Sequence, residues 1–266
     1  MSPRARIYTL VALSAAAAAA VVVGITAVTA SHPPKPLGPR AGKPPFAEDW
    51  TAPRLLVEDV RAAVGSVAHL RTLAREHPSS SFVRLNLGLA LFWQRDNAGA
   101  AEAWRQAKRV QPDTPSAVHA GDLLHPNSPR GLPQFQPSFS RAQTPVQRLL
   151  VRGIGLQRRG RPVSAERAFS RAAVLAPDDP DAQVAAAVGL YDKDRPVAAF
   201  SRLGPLVRRF PGSQIVRFHL GLLSIWIGNF SQARRELALV VAGGEKNQYS
   251  REGRLLLKSL EGIGTK

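Results

Sequence analysis

The sequence predicts an all-α fold, a solenoid of helix-turn-helix units preceded by one transmembrane or signal helix. Two observations carry this prediction. Small and large apolar residues recur together at 34-residue intervals late in the chain, and residues 7–30 contain no charge. A third observation limits the chemistry: there is no cysteine, which removes disulfides, thiolate zinc sites, iron–sulfur clusters and cysteine nucleophiles.

Residues 1–6 are a short tail carrying Arg4 and Arg6. The apolar run that follows, 7–30, is rich in Ala and Val, and roughly 20 such residues in a helix cross the hydrocarbon of a bilayer. It reads as a membrane anchor. Val28-Thr29-Ala30 ahead of Ser31 also fits a signal-peptide cleavage site, which would make the domain secreted. A very short tail before a lone span stays inside, so the domain is expected outside the cytoplasm, at the cell membrane. Residues 31–53 follow as a linker containing Pro33, Pro34, Pro36, Pro39, Pro44, Pro45 and Pro53. Proline fixes φ and removes donors, so this stretch is expected to be an extended spacer of about 3.1 Å per residue.

From residue 54 to 262 the pattern is helical. Arg54 to His77 carries Leu56, Val60, Val64, Val67, Leu70 and Leu73 and reads as a cap helix over 54–77, with Gly65 as its candidate break. The repeat comes next. Ala165, Ala199 and Ala233 are 34 residues apart, and Ala100 lies close to two such periods earlier. Twelve residues before them stand Gly88, Gly153, Ala187 and Gly221; four residues after them stand Trp104, Phe169, Leu203 and Leu237. The small residue on a first helix lets the second approach closely, and Ala and the large residue four later share one face. Pro112, Pro177 and Pro211 end the second helices.

These positions define repeats at 81–114, 146–179, 180–213 and 214–247. Gly204-Pro205 interrupts the second helix of the third, and Glu245 replaces the terminal proline of the last. Residues 248–262, with Leu255, Leu256, Leu257 and Leu260, read as a C-terminal cap helix. A degenerate segment, 115–145, stands where another repeat would be. Ala117 to Leu124 fits a short helix, and 126–145 is rich in Pro, Gly, Ser and Gln and is expected to be irregular. Leu132, Phe135 and Phe139 are the apolar residues there that would fold back onto a groove.

The combination of Gly or Ala, Ala, and Pro at these spacings resembles the tetratricopeptide repeat (TPR) family. The resemblance implies a binding scaffold whose first helices line a concave groove. Phe82, Leu85, Phe92, Trp93, Tyr191, Phe218 and Trp226 map to that inner surface and are the expected protein-binding residues. Only Asn86 matches the polar set with which some members clamp a C-terminal carboxylate, so that mode is disfavoured.

Charge offers a second surface. Lys and Arg number 36 against 19 Asp and Glu, a formal charge of +17. Arg148, Arg158, Arg159 and Arg161 lie in a stretch with little acidic opposition and form a candidate face for an anionic polymer or lipid, or else a solvated helix surface. No set of His, Ser and carboxylates converges in the sequence, and Gly153, Gly155 and Gly160 are misplaced for a dinucleotide loop. No catalytic residue, cofactor or metal site is therefore expected. The high Arg, Ala and Pro content suits a GC-rich bacterial genome. The expected function is a non-enzymatic, membrane-anchored scaffold or adaptor holding a protein or peptide segment in the bacterial cell envelope. Nucleic acid is not an expected partner. Other readings are a basic tether for an anionic polymer or lipid surface, and an enzyme with an unrecognised site.

Overall fold

A computed structural model describes residues 42–244 and 247–261. The helix expected over 7–30 lies outside them, as does the linker up to residue 41. Among the described residues there are thirteen α-helices and no strand. None of these helices is long and apolar enough to cross a membrane.

In chain order the helices are α1 (Arg54–Ala63), α2 (Val67–Glu76), α3 (Ser81–Trp93), α4 (Asn97–Val110), α5 (Pro115–Leu124), α6 (Pro145–Arg158) and α7 (Pro162–Leu175). They continue as α8 (Pro180–Gly189), α9 (Val197–Leu203), α10 (Leu206–Arg209), α11 (Gln214–Trp226), α12 (Phe230–Ala242) and α13 (Gln248–Leu260). Sequence neighbours pack as pairs, and first helices also touch across units: α6 with α8, α8 with α11, and α11 with α13. This is the arrangement of a helical solenoid.

Local chemistry sets the helix ends. Ser80, Asp96, Thr114, Thr144, Asp179, Asn229 and Asn247 each accept a backbone N–H of the first turn through the side chain. Thr144 and Gln147 complete a reciprocal capping box ahead of Pro145. In three helix pairs, α3/α4, α6/α7 and α11/α12, the chain turns between the helices through one left-handed residue, Arg95 (φ 69°), Gly160 (φ 67°) or Gly228 (φ 76°). The next N–H then bonds back to Leu91, Leu156 or Ser224 at 2.8–3.0 Å. Glycine takes that conformation at no steric cost; Arg95 does so without that freedom.

The cap expected as one helix over 54–77 is two, α1 and α2. Gly65 falls between them, and the side chain of Ser66 caps the second by accepting the N–H of His69. Around Gly204-Pro205 the chain likewise divides, α9 ending at Leu203 and α10 beginning at Leu206. Residues 126–144 contain no helix.

The close approach of paired helices has a direct measure. A Cβ built on Gly88 would lie 2.2 Å from Trp104 Nε1, and one on Gly153 would lie 2.2 Å from Phe169 Cε1. On Gly221 it would lie 2.9 Å from Leu237 Cγ. Ala100, Ala165, Ala199 and Ala233 are all buried. Three of the small residues that set the sequence period thus lie where the paired helix leaves no room for a side chain.

The stack is interrupted once, between α5 and α6. Two separate apolar cores result, one from Ala47 to Ala120 and one from Phe135 to Leu260. Polar contacts bridge them. Asp113 accepts the N–H and the hydroxyl of Ser164 at 2.9 and 2.5 Å and pairs with Arg161 at 3.0 Å. Lys108 meets Asp192 and Asp194, and Lys193 is buried against Asp122 at 2.5 Å.

Candidate functional site

The chain between α5 and α6 crosses the C-terminal core as an open run without helix or strand, Leu132–Phe139. Among the described residues, no backbone–backbone hydrogen bond joins the groups of residues 131–143. Pro133 and Pro137 fix their own φ and push Leu132 and Gln136 toward extended geometry. The segment is held instead by side chains of the helices beneath it.

Phe135 is the anchor. Its side chain is 2% exposed, edge-on to Phe169 (centroids 5.6 Å, 67°) and stacked on His219 (5.4 Å, 28°). Gln157, near the end of α6, reads the backbone on both sides of Gln134: its Oε1 accepts the N–H of Phe135 at 3.1 Å and its Nε2 donates to the carbonyl of Pro133 at 3.3 Å. His219 of α11 accepts the N–H of Gln136 at Nε2, 3.0 Å, and Tyr249 of α13 donates its hydroxyl to the carbonyl of Gln136, 3.0 Å. Gln248 donates to the carbonyl of Pro137. Asp181, in the first turn of α8, receives the N–H and the hydroxyl of Ser138 at 2.7 and 2.6 Å.

Electrostatics fit these roles. Full burial lowers the basicity of His219 to about 4, against a smaller opposing contribution from its contact with the Ile215 carbonyl. The imidazole is neutral: Nδ1–H donates to Ile215, 2.9 Å away, which leaves the Nε2 lone pair for Gln136. Burial raises the Asp181 carboxyl, opposed by its bonds to Ser138. Burial, helped by the nearby Asp181, raises the Tyr249 phenol, keeping it a donor.

The N-terminal core carries a second such arrangement. Residues 43–50 run over α3, with Phe46 edge-on to Phe82 (6.0 Å, 86°) and the Arg61 guanidinium 5.1 Å from the Phe46 centroid. Asn86 accepts the N–H of Ala47 at 2.9 Å and donates to its carbonyl at 3.1 Å. Asp49 Oδ2 receives the N–H and hydroxyl of Ser116 at the start of α5, 3.1 and 2.5 Å. The spacer expected over 31–53 is therefore part of the solenoid from about Pro44 onward, because Phe46 and Ala47 find an apolar and hydrogen-bonding seat there.

The residues expected to line an open groove are distributed by these covers. Phe82, Leu85 and Phe218 are buried in the cores, at 0–2% exposure. Phe82 lies under Phe46, and Phe218 lies against His219 and Tyr249. Phe92 leans on Trp104 at 5.9 Å, and Trp93 is partly buried near Gly42. Tyr191 and Trp226 pack edge-on at 5.7 Å and border a cleft of about 350 Å³. That cleft lies between the two cores, walled also by Val118, His119, Asp122, Leu132 and Gln157.

The basic face divides as well. Arg158 and Arg159 are exposed at the mouth of the cleft, whereas Arg161 is taken up by Asp113 and Ser164. Arg148 donates to the carbonyl of Gln143 at 3.4 Å. Among the described residues no group of three or more His, Asp and Glu is placed to hold a metal ion. Gln157, Asp181, His219, Gln248 and Tyr249, which hold the segment, went unrecognised as a site in the sequence. A signal among these residues themselves is a polar one, His219, within the otherwise apolar centre of α11.

No model of a known protein family matches this chain, and no curated protein is similar to it.

Proposed function

We propose that this chain is a non-enzymatic scaffold or adaptor of the bacterial cell envelope. It is anchored through residues 7–30, and its solenoid, of tetratricopeptide type, takes an extended segment of another protein on the faces of its first helices. The observation that carries this reading is the way Leu132–Phe139 is held. Side chains from α6, α8, α11 and α13 bond to backbone N–H and carbonyl groups of an open chain. Backbone groups are common to every extended peptide, so a surface that satisfies them with side chains suits peptide capture. The 34-residue spacing and the glycine-to-ring contacts at Gly88 and Gly153 support the family assignment.

The test is site-specific photo-crosslinking in cells. A photoreactive residue replaces Gln248 on the peptide-holding face, or Leu239, half exposed on α12. Adducts with one defined partner from position 248, absent from position 239 and reduced by His219→Phe, are the expected result. Equal adducts from both positions would contradict the reading.

A further inference from the structure

The two covers obey one rule. Each contains a proline two residues, or one and two residues, before a phenylalanine: Pro44-Pro45-Phe46-Ala47 and Pro133-Gln134-Phe135-Gln136. In each, the phenylalanine enters an aromatic seat, Phe82 in one half and Phe169 with His219 in the other. In each, the residue after it has both backbone groups satisfied by side chains. Asn86 serves both groups of Ala47; His219 and Tyr249 share those of Gln136. Asn86 and His219 are each the sixth residue of their helices, α3 and α11. Two cores that are not continuous with each other thus select the same short pattern with different side chains.

We propose that the C-terminal groove recognises an extended segment of the form proline, any residue, phenylalanine, any residue, proline in a partner protein, and that Leu132–Phe139 is its exchangeable internal occupant. This rests on the reading of the groove as a peptide site. Three features favour exchange. The segment forms no helix or strand, so its release breaks no ladder. Most of its contacts with the groove are with backbone atoms and the Phe135 ring, which another peptide of this pattern supplies; the Ser138 hydroxyl and the partly buried Leu132 and Phe139 side chains add contacts outside the pattern. Residues 140–144 follow it without helix, and on the other side the chain is held at Pro129 and Gly131 by Lys193 and Asp122, so the segment can lift between that fixed point and α6. A proline-bearing competitor is already close to the bound shape and loses little entropy on docking. The internal copy competes at an effective concentration on the order of millimolar, so the intact chain takes the partner weakly until its own segment leaves.

The experiment uses the full-length chain and a synthetic peptide spanning residues 130–141. In one form of the protein, residues 132–139 are replaced by a Gly/Ser stretch of equal length. Calorimetry should show this emptied chain binding the peptide at least about tenfold more tightly than the intact chain does. A peptide with Phe135→Ala should bind the emptied chain at least about tenfold more weakly. An emptied chain that is folded by circular dichroism yet ignores the peptide overturns the proposal. If that chain still loses a crosslinked partner on Gln157→Ala, exchange alone has failed and the scaffold reading survives. Binding that is indifferent to Phe135→Ala also overturns the proposal. A second measurement holds if the emptied chain does not fold. In the intact protein the amides of Phe135, Gln136 and Ser138 should exchange hydrogen by local opening, well before those of α11. Exchange only through global unfolding would make the segment a permanent part of the core and overturn the proposal.

Discussion

Asn86 and His219 occupy the same place in two different helices and accept the same group, the backbone N–H of the residue that follows a phenylalanine, at 2.9 and 3.0 Å. Both are buried among apolar neighbours, at 1% and 0% exposure. Each also bonds a carbonyl of its own helix, Asn86 to Phe82 at 3.1 Å and His219 to Ile215 at 2.9 Å, but its buried accepting atom is met by a segment from elsewhere in the chain, and leaving such an atom unpaired costs about 1–3 kcal/mol. A segment seated over either helix, whether from this chain or from a partner, therefore stabilises the helix beneath it.

The neutral state of His219 gives a pH prediction. Its proton affinity falls from the ordinary 6.5 to about 4 in the folded protein. Between those values the unfolded chain binds a proton that the native protein refuses. Stability is therefore full above about pH 6.5 and is lost as pH falls toward about 4, by about 3 kcal/mol in all. Denaturation of wild type and His219→Gln at about pH 7 and about pH 4.5 should show the wild-type advantage shrinking at the lower pH. Because Asp181 and Tyr249 are present in both proteins, their titration largely cancels in the comparison. An unchanged gap would contradict the assignment of Nε2 as an acceptor.

Much of the helical frame was legible because its cause is local. Gly88 with Trp104 and Gly153 with Phe169 recur at fixed spacing, and caps such as Thr144-Pro145 mark their own helix ends. What covers the first helices was not legible in the same way. Periodicity shows that Phe82, Leu85 and Phe218 share an apolar face; it does not show whether solvent, a partner or the chain itself lies over that face. Here Phe46 and Phe135 do, and no spacing rule links Ala47 to Asn86 or Gln136 to His219 across such separations. Beside the polar residue at the buried centre of each apolar helix, Asn86 or His219, the available hint was the proline-phenylalanine strings at 44–46 and 133–135.

Gly153→Ala should destabilise the protein. Alanine improves helix propensity by about 1 kcal/mol over glycine. Against this, the added Cβ would lie 2.2–2.8 Å from three atoms of the buried Phe169 ring, itself packed on Phe135. Overpacking of this kind costs about 1–3 kcal/mol and should win. Chemical denaturation of Gly153→Ala, and of the double variant with Phe169→Leu, should show the second change relieving part of the first. A Gly153→Ala protein as stable as wild type would contradict the packing.

Lys193→Met should be among the costlier single changes in the seam between the cores. The Lys193 side chain is 3% exposed and donates to Asp122 and to the Pro129 carbonyl, both at 2.5 Å. Burial lowers the lysine's proton affinity and raises that of Asp122, while each opposes the shift of the other. Removing one partner strands a buried carboxylate at a cost of about 3–5 kcal/mol. Asp122→Asn combined with Lys193→Met should recover part of that, since Asn retains an acceptor for the N–H of Gly131. Equal stability of the single and double variants would argue against a buried charge pair.

Residues 7–30 give a prediction about address. A reporter that works only after export, fused after residue 50, should be active, and one that works only in the cytoplasm should be silent. The opposite pair of results would place the solenoid inside the cell and remove the envelope assignment.

The claim at the centre of this account is that the first helices hold an extended peptide through backbone-directed side chains. The direct measurement is the affinity of the chain emptied at 132–139 for the 130–141 peptide, at about 50 mM and about 500 mM salt. Three forms are compared: the emptied chain alone, the same chain with Gln157→Ala and His219→Phe, and the same chain with Arg158→Gln and Arg159→Gln. Apolar and hydrogen-bonded contacts respond little to counterions, whereas exposed charge contacts are screened. A loss of at least about tenfold is expected in the Gln157 and His219 form, with little effect of salt or of the arginine changes. Affinity that collapses with salt and with Arg158 and Arg159, yet survives the loss of Gln157 and His219, would contradict it and point to an anionic tether.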